Sequence, residues 1–460
     1  MQKSYKSNLI NPYFGINFNT FAKVNCFLML SFANSSTRSL QAFQLIRFMA
    51  MITIGIAMAR LGYGNTAIGN YEAVLFVSGL LTTFWVTGLI QSLLPLYKNG
   101  ISNDNRLFNA FMVISGLTAL SCALALIFSN SLKGFALLES KDTFYLMLVY
   151  LLLSTPASMV EYIYLLNSKF RSMLFYGLTT YGIQIAFVLL PVFMGLDVTY
   201  AVFGLIGVSA IRFVWLVLLV VKYSKTSINV DFLKDFLGDG IPLSLKFLVS
   251  SSGLYIDQLI IGYYYDSSTF AVYRFGAREI PLITVLAVPL SNSMLVEFAD
   301  RQKLKQNLER LKSESLRLMH IFFPISIVAI LLARLVFPLV FGVGFTESAN
   351  VFMIYCLIVI SKVLFPQTIA QGFRRSMAVL AISIIEMALN IILSLLLVKY
   401  FGINGVAAAT VIVFTLEKIL LMAYNSYQLN IPALAYTPLK TFLVYSSVLI
   451  LTFAFAWIFL

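Results

Sequence analysis

The sequence predicts an all-α membrane protein that crosses a lipid bilayer about a dozen times. Of its 460 residues, 60% are hydrophobic and 11% are charged, whereas soluble chains are roughly 45–50% apolar and about 25% charged. The apolar residues form runs of the roughly 20 residues that a helix needs to cross a bilayer. These runs lack the two-residue alternation of barrel strands, so helices are the structures that satisfy their backbones in lipid.

Charged and turn-forming residues separate the apolar runs and set the boundaries of the predicted spans. Twelve spans follow a repeating plan, and a thirteenth stands outside it. In chain order, the predicted spans are 40–61, 72–97, 107–129, 143–166, 173–196, 199–222, 241–263, 270–297, 316–339, 347–370, 377–399, 403–426 and 439–460.

Basic residues in the loops predict the orientation of the chain. With the N-terminus in the cytoplasm, the outer segments hold only Arg60, Lys133, Lys141 and Lys399, and the other loop bases fall inside. This is the positive-inside pattern. We therefore attribute the net charge of +13 to topology rather than to nucleic-acid binding. The basic stretch 299–315 is expected to be an amphipathic helix on the inner membrane surface.

The first twelve spans divide into two sets of six with the same plan. A shift of about 202 residues overlays Gly69–Asn70–Tyr71 on Ala271–Val272–Tyr273. Parallel repeats of this kind place their binding sites between the halves, near the midplane. The predicted organisation is a cytoplasmic tail (1–38), an N-terminal lobe (39–223), a cytoplasmic linker (224–240), a C-terminal lobe (241–428) and an extra helix (429–460).

Two arginines in the eighth span are the strongest candidate site residues. An ion at the bilayer centre costs about 2.5–3.5 kcal/mol, so such residues indicate either structural pairs or a polar cavity. Arg274 and Arg278 are four residues apart and share a helix face. Asp257 lies at a matching depth, and an ion pair with either arginine is the structural alternative. One carboxylate cannot balance the charge of both guanidinium groups, so we predict a site for an anion such as a diphosphate. Guanidinium groups form bidentate hydrogen bonds to phosphate oxygens.

The charged residues within the spans fall into three further groups. Arg47 and Lys362 lie at similar depths and are predicted to form a second basic cluster. Asp257 and Glu279 are candidates for an ion pair or for coupling to an ion. Arg212, Glu417 and Lys418 are assigned to structural pairing or to contacts at the membrane surface. With one histidine and three scattered cysteines, the sequence indicates no catalytic or metal site.

Two stretches carry a resemblance to a known family. Ile54–Tyr71, IGIAMARLGYGNTAIGNY, is similar to the opening of the polysaccharide-type flippases of the MOP superfamily. Tyr255–Tyr273, with Asp257 followed by an apolar run and a tyrosine, resembles the start of that family's second half. Within the superfamily the protein resembles the Wzx translocases, which move undecaprenyl-diphosphate-linked oligosaccharides across the inner membrane. Its Arg60–Leu61–Gly62 is one residue tighter than the family pattern, and its thirteen spans depart from the usual twelve or fourteen.

The resemblance implies a fold and a function. The fold would be two six-helix lobes around a central cavity, as in MATE and other MOP transporters, with Arg47, Arg274 and Arg278 contributing to a cationic cavity. The function would be flipping of a lipid-linked oligosaccharide to the outer leaflet by alternating access, for surface polysaccharides such as O-antigen. Such a monomeric protein of the bacterial inner membrane is not an enzyme and needs no cofactor beyond a coupling Na⁺ or H⁺. Its expected partners are the lipid-linked oligosaccharide, membrane lipids, a polysaccharide polymerase and a chain-length regulator.

Four alternatives differ in what the sequence would have to contain. A MATE-type multidrug or cation exporter would favour an acidic cavity, whereas seven bases and five acids lie in the predicted spans away from their ends. A murein-precursor (lipid II) flippase would share the cationic cavity. A membrane glycosyltransferase or polymerase would need a sizeable loop with acidic or histidine catalytic groups. A scaffold would not need unpaired arginines in the bilayer.

Overall fold

The protein is all-helical in the part of the chain that can be described. A computed structural model describes residues 36–98, 105–129, 140–298 and 301–460, and no strand occurs among them. Ten of its helices are long and apolar enough to cross a membrane. These findings confirm the predicted fold class, and nearly all of the predicted N-terminal tail lies outside the described residues.

Seven helices correspond to the first six predicted spans, because the fourth span is interrupted. Its break lies after Ala157, beside Pro156, which lacks the N–H that a helix interior needs. We call this part of the chain the N-terminal lobe. Its helices are α1 (Ser36–Arg60), α2 (Asn65–Lys98), α3 (Arg106–Ile127), α4 (Lys141–Ala157), α5 (Met159–Leu166), α6 (Phe170–Phe193) and α7 (Val198–Tyr223).

Eight helices form the C-terminal lobe, and a ninth follows it. The eighth and tenth predicted spans are interrupted, whereas the eleventh and twelfth are joined through Gly402, whose φ of 59° suits glycine. The lobe comprises α8 (Val230–Tyr264), α9 (Ser267–Gly276), α10 (Pro281–Glu297), α11 (Leu304–Phe341), α12 (Thr346–Cys356), α13 (Val359–Lys362), α14 (Pro366–Gly372) and α15 (Ser376–Gln428), and the last helix is α16 (Leu439–Phe459).

Two predicted boundaries differ from the structure. Helix α8 begins at Val230, so most of the predicted linker 224–240 is the first part of the seventh span. The basic stretch 299–315 is not a separate surface helix, since from Leu304 it is continuous with α11. At about 1.5 Å per residue, the 38 residues of α11 measure roughly 57 Å. The helix therefore extends well beyond a hydrocarbon layer about 30 Å thick, and it buries Leu311 against protein.

Structural features recur at the spacing of the predicted repeat. Helices α2 and α9 begin at Asn65 and Ser267, which are 202 residues apart. The fourth and tenth spans break at corresponding points, after Ala157 and after Cys356. The six-helix plan is therefore present twice in the chain.

The lobes pack along α2 and α8, which run antiparallel. Near the end predicted to face outward, a Cβ on Gly69 would overlap the backbone carbonyl of Ser267 in the adjoining helix α9. Towards the other end, a Cβ on Gly88 would overlap the backbone of Ser244. Glycine is needed at both points because the backbones themselves are in contact.

Further contacts join the lobes at the predicted outer end. Asn65 Nδ2 donates to the carbonyl of Gly344 at 2.7 Å. Arg60 Nε donates to the carbonyl of Val340 at 3.1 Å. Two hydrogen bonds thus close the structure at this end. One joins the start of α2 to the segment that follows α11, and the other joins the end of α1 to the end of α11.

The last helix runs beside α11 over much of its length. The ring of Tyr445 stacks on Phe323 with centroids 5.2 Å apart. Farther along, Arg334 Nη1 donates to the carbonyl of Ala456 at 3.3 Å. Because both contacts advance in the same direction, α16 runs parallel to α11, as a thirteenth span requires.

Candidate functional site

A cavity of about 380 Å³ lies in the N-terminal lobe and reaches the lobe interface. Helices α1, α2 and α4–α7 form most of its wall, and Tyr255 and Arg274 of the C-terminal lobe complete it. Its charged lining residues are Arg47, Glu161, Arg212 and Arg274, so the bases outnumber the acid three to one.

Arg47 from α1 faces this cavity. Its side chain is exposed, and it makes no hydrogen bond or ion pair within the described ranges. The carboxylate of Glu161 lines the same cavity and accepts a long hydrogen bond from Gln44 Nε2 at 3.5 Å. Arg47 therefore presents a guanidinium group whose donors are available to a ligand.

Arg212 from α7 lines the cavity. This corrects its sequence-based assignment to a structural pair or to a contact at the membrane surface. Its Nη2 donates to Gln184 Oε1 at 2.9 Å. Its Cζ lies 4.3 Å from the ring centroid of Tyr181, within the range of a cation–π interaction. These contacts orient the side chain but leave its positive charge without a carboxylate partner in the described residues.

Arg274 and Arg278 bind a carboxylate of the other lobe. Glu72 on α2 accepts from Arg274 Nε and from Arg278 Nη2, the latter at 3.3 Å. Arg274 also donates to Gln258 Oε1. The prediction that both arginines share a helix face is wrong, because α9 ends at Gly276 and Arg278 lies in the segment before α10. One carboxylate still faces two guanidinium groups.

Sequence reasoning missed Glu72 because the predicted second span began at residue 72. Helix α2 begins at Asn65 instead, which places Glu72 two turns inside it, with its side chain 6% exposed. A signal was present, since Glu72 directly follows Tyr71 of the repeat motif and lies 202 residues before Arg274. Opposite charges at equivalent positions of the two repeats, here Glu72 and Arg274, would have predicted this ion pair from the sequence.

Asp257 does not form the ion pair that its depth suggested. Its Oδ2 accepts hydrogen bonds from Thr410 Oγ1 at 2.6 Å, from the Tyr355 hydroxyl at 2.6 Å and from the Tyr273 hydroxyl at 3.1 Å. Its Oδ1 is buried and has no hydrogen-bond partner among the described residues. The arginines turn away because Glu72 engages them across the lobe interface.

Lys362 and Glu279 form an ion pair with Nζ and Oε1 2.9 Å apart. Lys362 lines a second cavity, of about 550 Å³, within the C-terminal lobe. The structure therefore does not bring Lys362 together with Arg47, since each faces a different cavity.

Solved structures share this architecture at low sequence identity. The structure titled "Lipid II flippase MurJ, inward closed conformation" aligns with a TM-score of 0.67 and 17% identity, over 91% of this chain and 93% of that chain. An inward-facing multidrug resistance MATE family transporter of the MOP superfamily aligns with a TM-score of 0.56 and 15% identity, over 83% of this chain and 94% of that one. An outward-facing MATE family transporter of the MOP superfamily aligns with a TM-score of 0.53 and 16% identity, over 87% of this chain and 97% of that chain.

These likenesses establish that the chain has the MOP fold. No curated protein matches the sequence. A family model described as "Polysaccharide biosynthesis protein" matches residues 57–350, which is more than half of the chain. The matched region includes all of α2 and α8, and the residues Glu72, Asp257, Arg274 and Arg278. The chain is therefore a member of the polysaccharide biosynthesis protein family.

Proposed function

We propose that this protein is a flippase that carries a polyprenyl-diphosphate-linked oligosaccharide across the membrane by alternating access. The observation that carries the proposal is Arg47, an unpaired guanidinium group that faces a cavity together with Arg212 and Arg274. A diphosphate offers several anionic oxygens, and guanidinium groups bind such oxygens in bidentate fashion. Membership of the polysaccharide biosynthesis protein family and the MOP fold support a lipid-linked cargo. The excess of basic residues in the cavity supports an anionic one.

The cavity walls also suit a glycan. Five tyrosines line the cavity and offer flat apolar rings with a polar hydroxyl group at one end. Sugar rings expose both C–H faces and hydroxyl groups, so they match such a surface. The five are Tyr150, Tyr162, Tyr176, Tyr181 and Tyr255.

Cargo binding could drive the movement of the lobes by replacing Glu72 as the partner of Arg274 and Arg278. Arg274 and Arg278 hold Glu72 across the lobe interface, and an incoming diphosphate would compete for the same guanidinium groups. A ligand shifts a conformational equilibrium only through its differential affinity for the two states. Binding that takes the arginines from Glu72 would favour the state in which the lobes separate at this point.

Asp257 is our candidate for ion coupling. Its carboxylate is 1% exposed and lies among three hydroxyl groups, with Oδ1 unpartnered in the part of the chain that is described. A buried carboxyl group in that setting fits either Na⁺, which prefers oxygen ligands, or a proton. Substitution Asp257→Asn should leave cargo binding intact and remove the dependence of transport on the Na⁺ or proton gradient.

The test is lipid movement in reconstituted vesicles. Wild-type protein should move a fluorescent polyprenyl-diphosphate oligosaccharide between leaflets. The variants Arg47→Gln and Arg274→Gln should each slow this movement at least about tenfold, the equivalent of about 1.4 kcal/mol. Arg310→Gln is the matched control, because Arg310 forms an exposed ion pair with Glu297 away from the cavity. Equal rates in all four proteins would refute the proposal.

A further inference from the structure

The cavity of the C-terminal lobe is the repeat counterpart of the cavity in the N-terminal lobe. The two are lined at positions separated by the 202 residues of the internal repeat. Several of these pairs differ in residue type, so that bases of the first cavity are replaced by apolar residues and an amide is replaced by a carboxylate. Among these pairs are Arg47 with Val249, Tyr181 with Ser383, Gln184 with Glu386, and Arg212 with Phe414.

Glu386 is a carboxyl group of the second cavity that forms no ion pair with any side chain in the described part of the chain. Its side chain is 7% exposed, and Oε1 has no hydrogen-bond partner among the described residues. The lysines of the cavity already have carboxylate partners. Lys362 pairs with Glu279 at 2.9 Å, and Lys418 pairs with Glu417 at 2.8 Å. Of the three carboxylates in this group, Glu386 is the one without a lysine at ion-pair distance among the described side chains.

The rest of the cavity wall indicates what kind of cation would fit. The wall is mostly apolar, and its volume of about 550 Å³ lies in the usual range for small-molecule sites, about 300–1,000 Å³. Phe414 lies next to Glu386, since a Cβ on Gly253 would lie 3.1 Å from the Phe414 ring and 3.7 Å from Glu386 Oε1. A carboxylate beside an aromatic ring attracts a positive charge from two directions, whereas apolar walls favour an apolar ligand body.

We propose that the C-terminal lobe contains a second binding site, for an amphipathic organic cation, with Glu386 as the charge partner. The two repeats would thus hold cavities of opposite preference, one for an anionic headgroup and one for a lipophilic cation. This inference goes beyond the transport of a lipid-linked glycan and does not depend on it.

Direct binding to the purified full-length protein tests the site. Tetraphenylphosphonium is the probe, and tetraphenylborate is its control of the same shape and opposite charge. Wild-type protein should bind the phosphonium saturably, and the borate, tested alone because the two ions precipitate together, should not bind. Glu386→Gln should raise the Kd at least about tenfold. Ser383→Tyr, which introduces the residue of the equivalent N-terminal position, should also weaken binding because it fills the cavity without changing its charge.

The location is tested by a matched carboxylate in the other cavity. Glu161 is also 7% exposed, and Glu161→Gln should leave phosphonium binding unchanged. A cooperative thermal unfolding transition shows that each variant is folded. If Glu386→Gln does not fold, the binding affinity of Ser383→Tyr alone tests the proposal. The proposal is overturned if the folded variants of the second cavity bind the phosphonium as the wild type does. It is equally overturned if Glu161→Gln is the variant that loses binding.

Discussion

Glu72 and Arg274 occupy equivalent positions in the two repeats, and they bond to each other across the lobe interface. In a two-fold interface, equivalent residues meet each other only near the symmetry axis. This pair therefore lies near the pseudo-two-fold axis between the lobes. An ion pair at that point responds to any relative rotation of the lobes, and it is within reach of the cavity because Arg274 also lines the cavity.

The substitution Glu72→Gln should weaken the lobe interface and free the arginines. We expect a loss of roughly 3 kcal/mol of stability, because two partly buried guanidinium groups lose their buried carboxylate, together with tighter binding of a diphosphate headgroup. Thermal unfolding and headgroup binding measure the two effects. Glu297→Gln is the control, since the Glu297–Arg310 pair is exposed and should be worth less than about 1 kcal/mol. Wild-type stability and affinity in Glu72→Gln would contradict this role for the pair.

Residue-level prediction from sequence was limited by interruptions of the helices and by contacts between distant helices. The four-residue spacing of Arg274 and Arg278 does not place them on one helix face, because α9 ends between them, although both contact Glu72. The partners of Asp257 could not be predicted, because Tyr355 and Thr410 come from distant helices at no fixed sequence spacing. Matching depth limits which residues can meet, but it does not decide which face each helix turns towards its neighbours.

At the scale of elements, close backbone contact holds α2 against its partners in the other lobe. Gly69→Ala and Gly88→Ala should each cost about 1–3 kcal/mol, the usual penalty for overpacking, because each new Cβ meets backbone atoms that cannot move aside. Gly116→Ala and Gly182→Ala are the matched controls, since a Cβ at either position meets nothing within 4 Å. These controls should be neutral or stabilising by up to about 1 kcal/mol. Thermal unfolding of the four variants would show whether the difference exists.

The start of α9 depends on a capping carboxylate outside the spans. Asp266 accepts a hydrogen bond from the backbone N–H of Thr269 at 2.9 Å, and this bond holds the pKa of Asp266 below its usual value. Because the folded pKa is the lower one, the stabilisation is present above the unfolded pKa and is lost as the pH falls through the folded value. Asp266→Ala should cost about 1 kcal/mol near neutral pH, and the difference from wild type should shrink on acidification.

Asp266→Asn serves as the comparison for that cap. Asparagine also caps helices well, and it has no proton to gain, so this variant should keep most of the stability without its pH dependence. Unfolding temperatures measured at neutral and at acidic pH distinguish the three proteins. An Asn variant as unstable as the Ala variant would mean that the carboxylate acts through its charge rather than through the hydrogen bond.

Prediction of the elements was limited by what hydropathy can register. Apolar runs indicated each span, but proline and glycine positions did not reveal whether a span would be broken, as at Pro156, or joined to the next, as through Gly402. The basic stretch 299–315 has a real apolar face, but that face packs on the protein rather than on lipid. Periodicity specifies that a face is buried and leaves open what buries it.

At the scale of the whole molecule, the repeat was the most informative sequence feature. It predicted two six-helix units, and the MOP fold agrees with that prediction. The same repeat places a cavity in each lobe at equivalent positions. The difference in charge between the two cavities required the structure, because only the contacts show which bases are neutralised and which are left to bind a ligand.

Alternating access requires the outer end of the lobe interface to open in each transport cycle. A disulfide between Asn65→Cys and Gly344→Cys should prevent this, since Asn65 and Gly344 are already joined by a hydrogen bond of 2.7 Å. In a background without the native cysteines, we expect oxidation to stop lipid movement and a reductant to restore it. The control disulfide, Val272→Cys with Ser348→Cys, joins two contacting positions inside the C-terminal lobe and should leave transport intact, because no lobe movement separates them. Unchanged transport by the oxidised 65–344 variant would mean that the cargo crosses without separation of the lobes at the outer end.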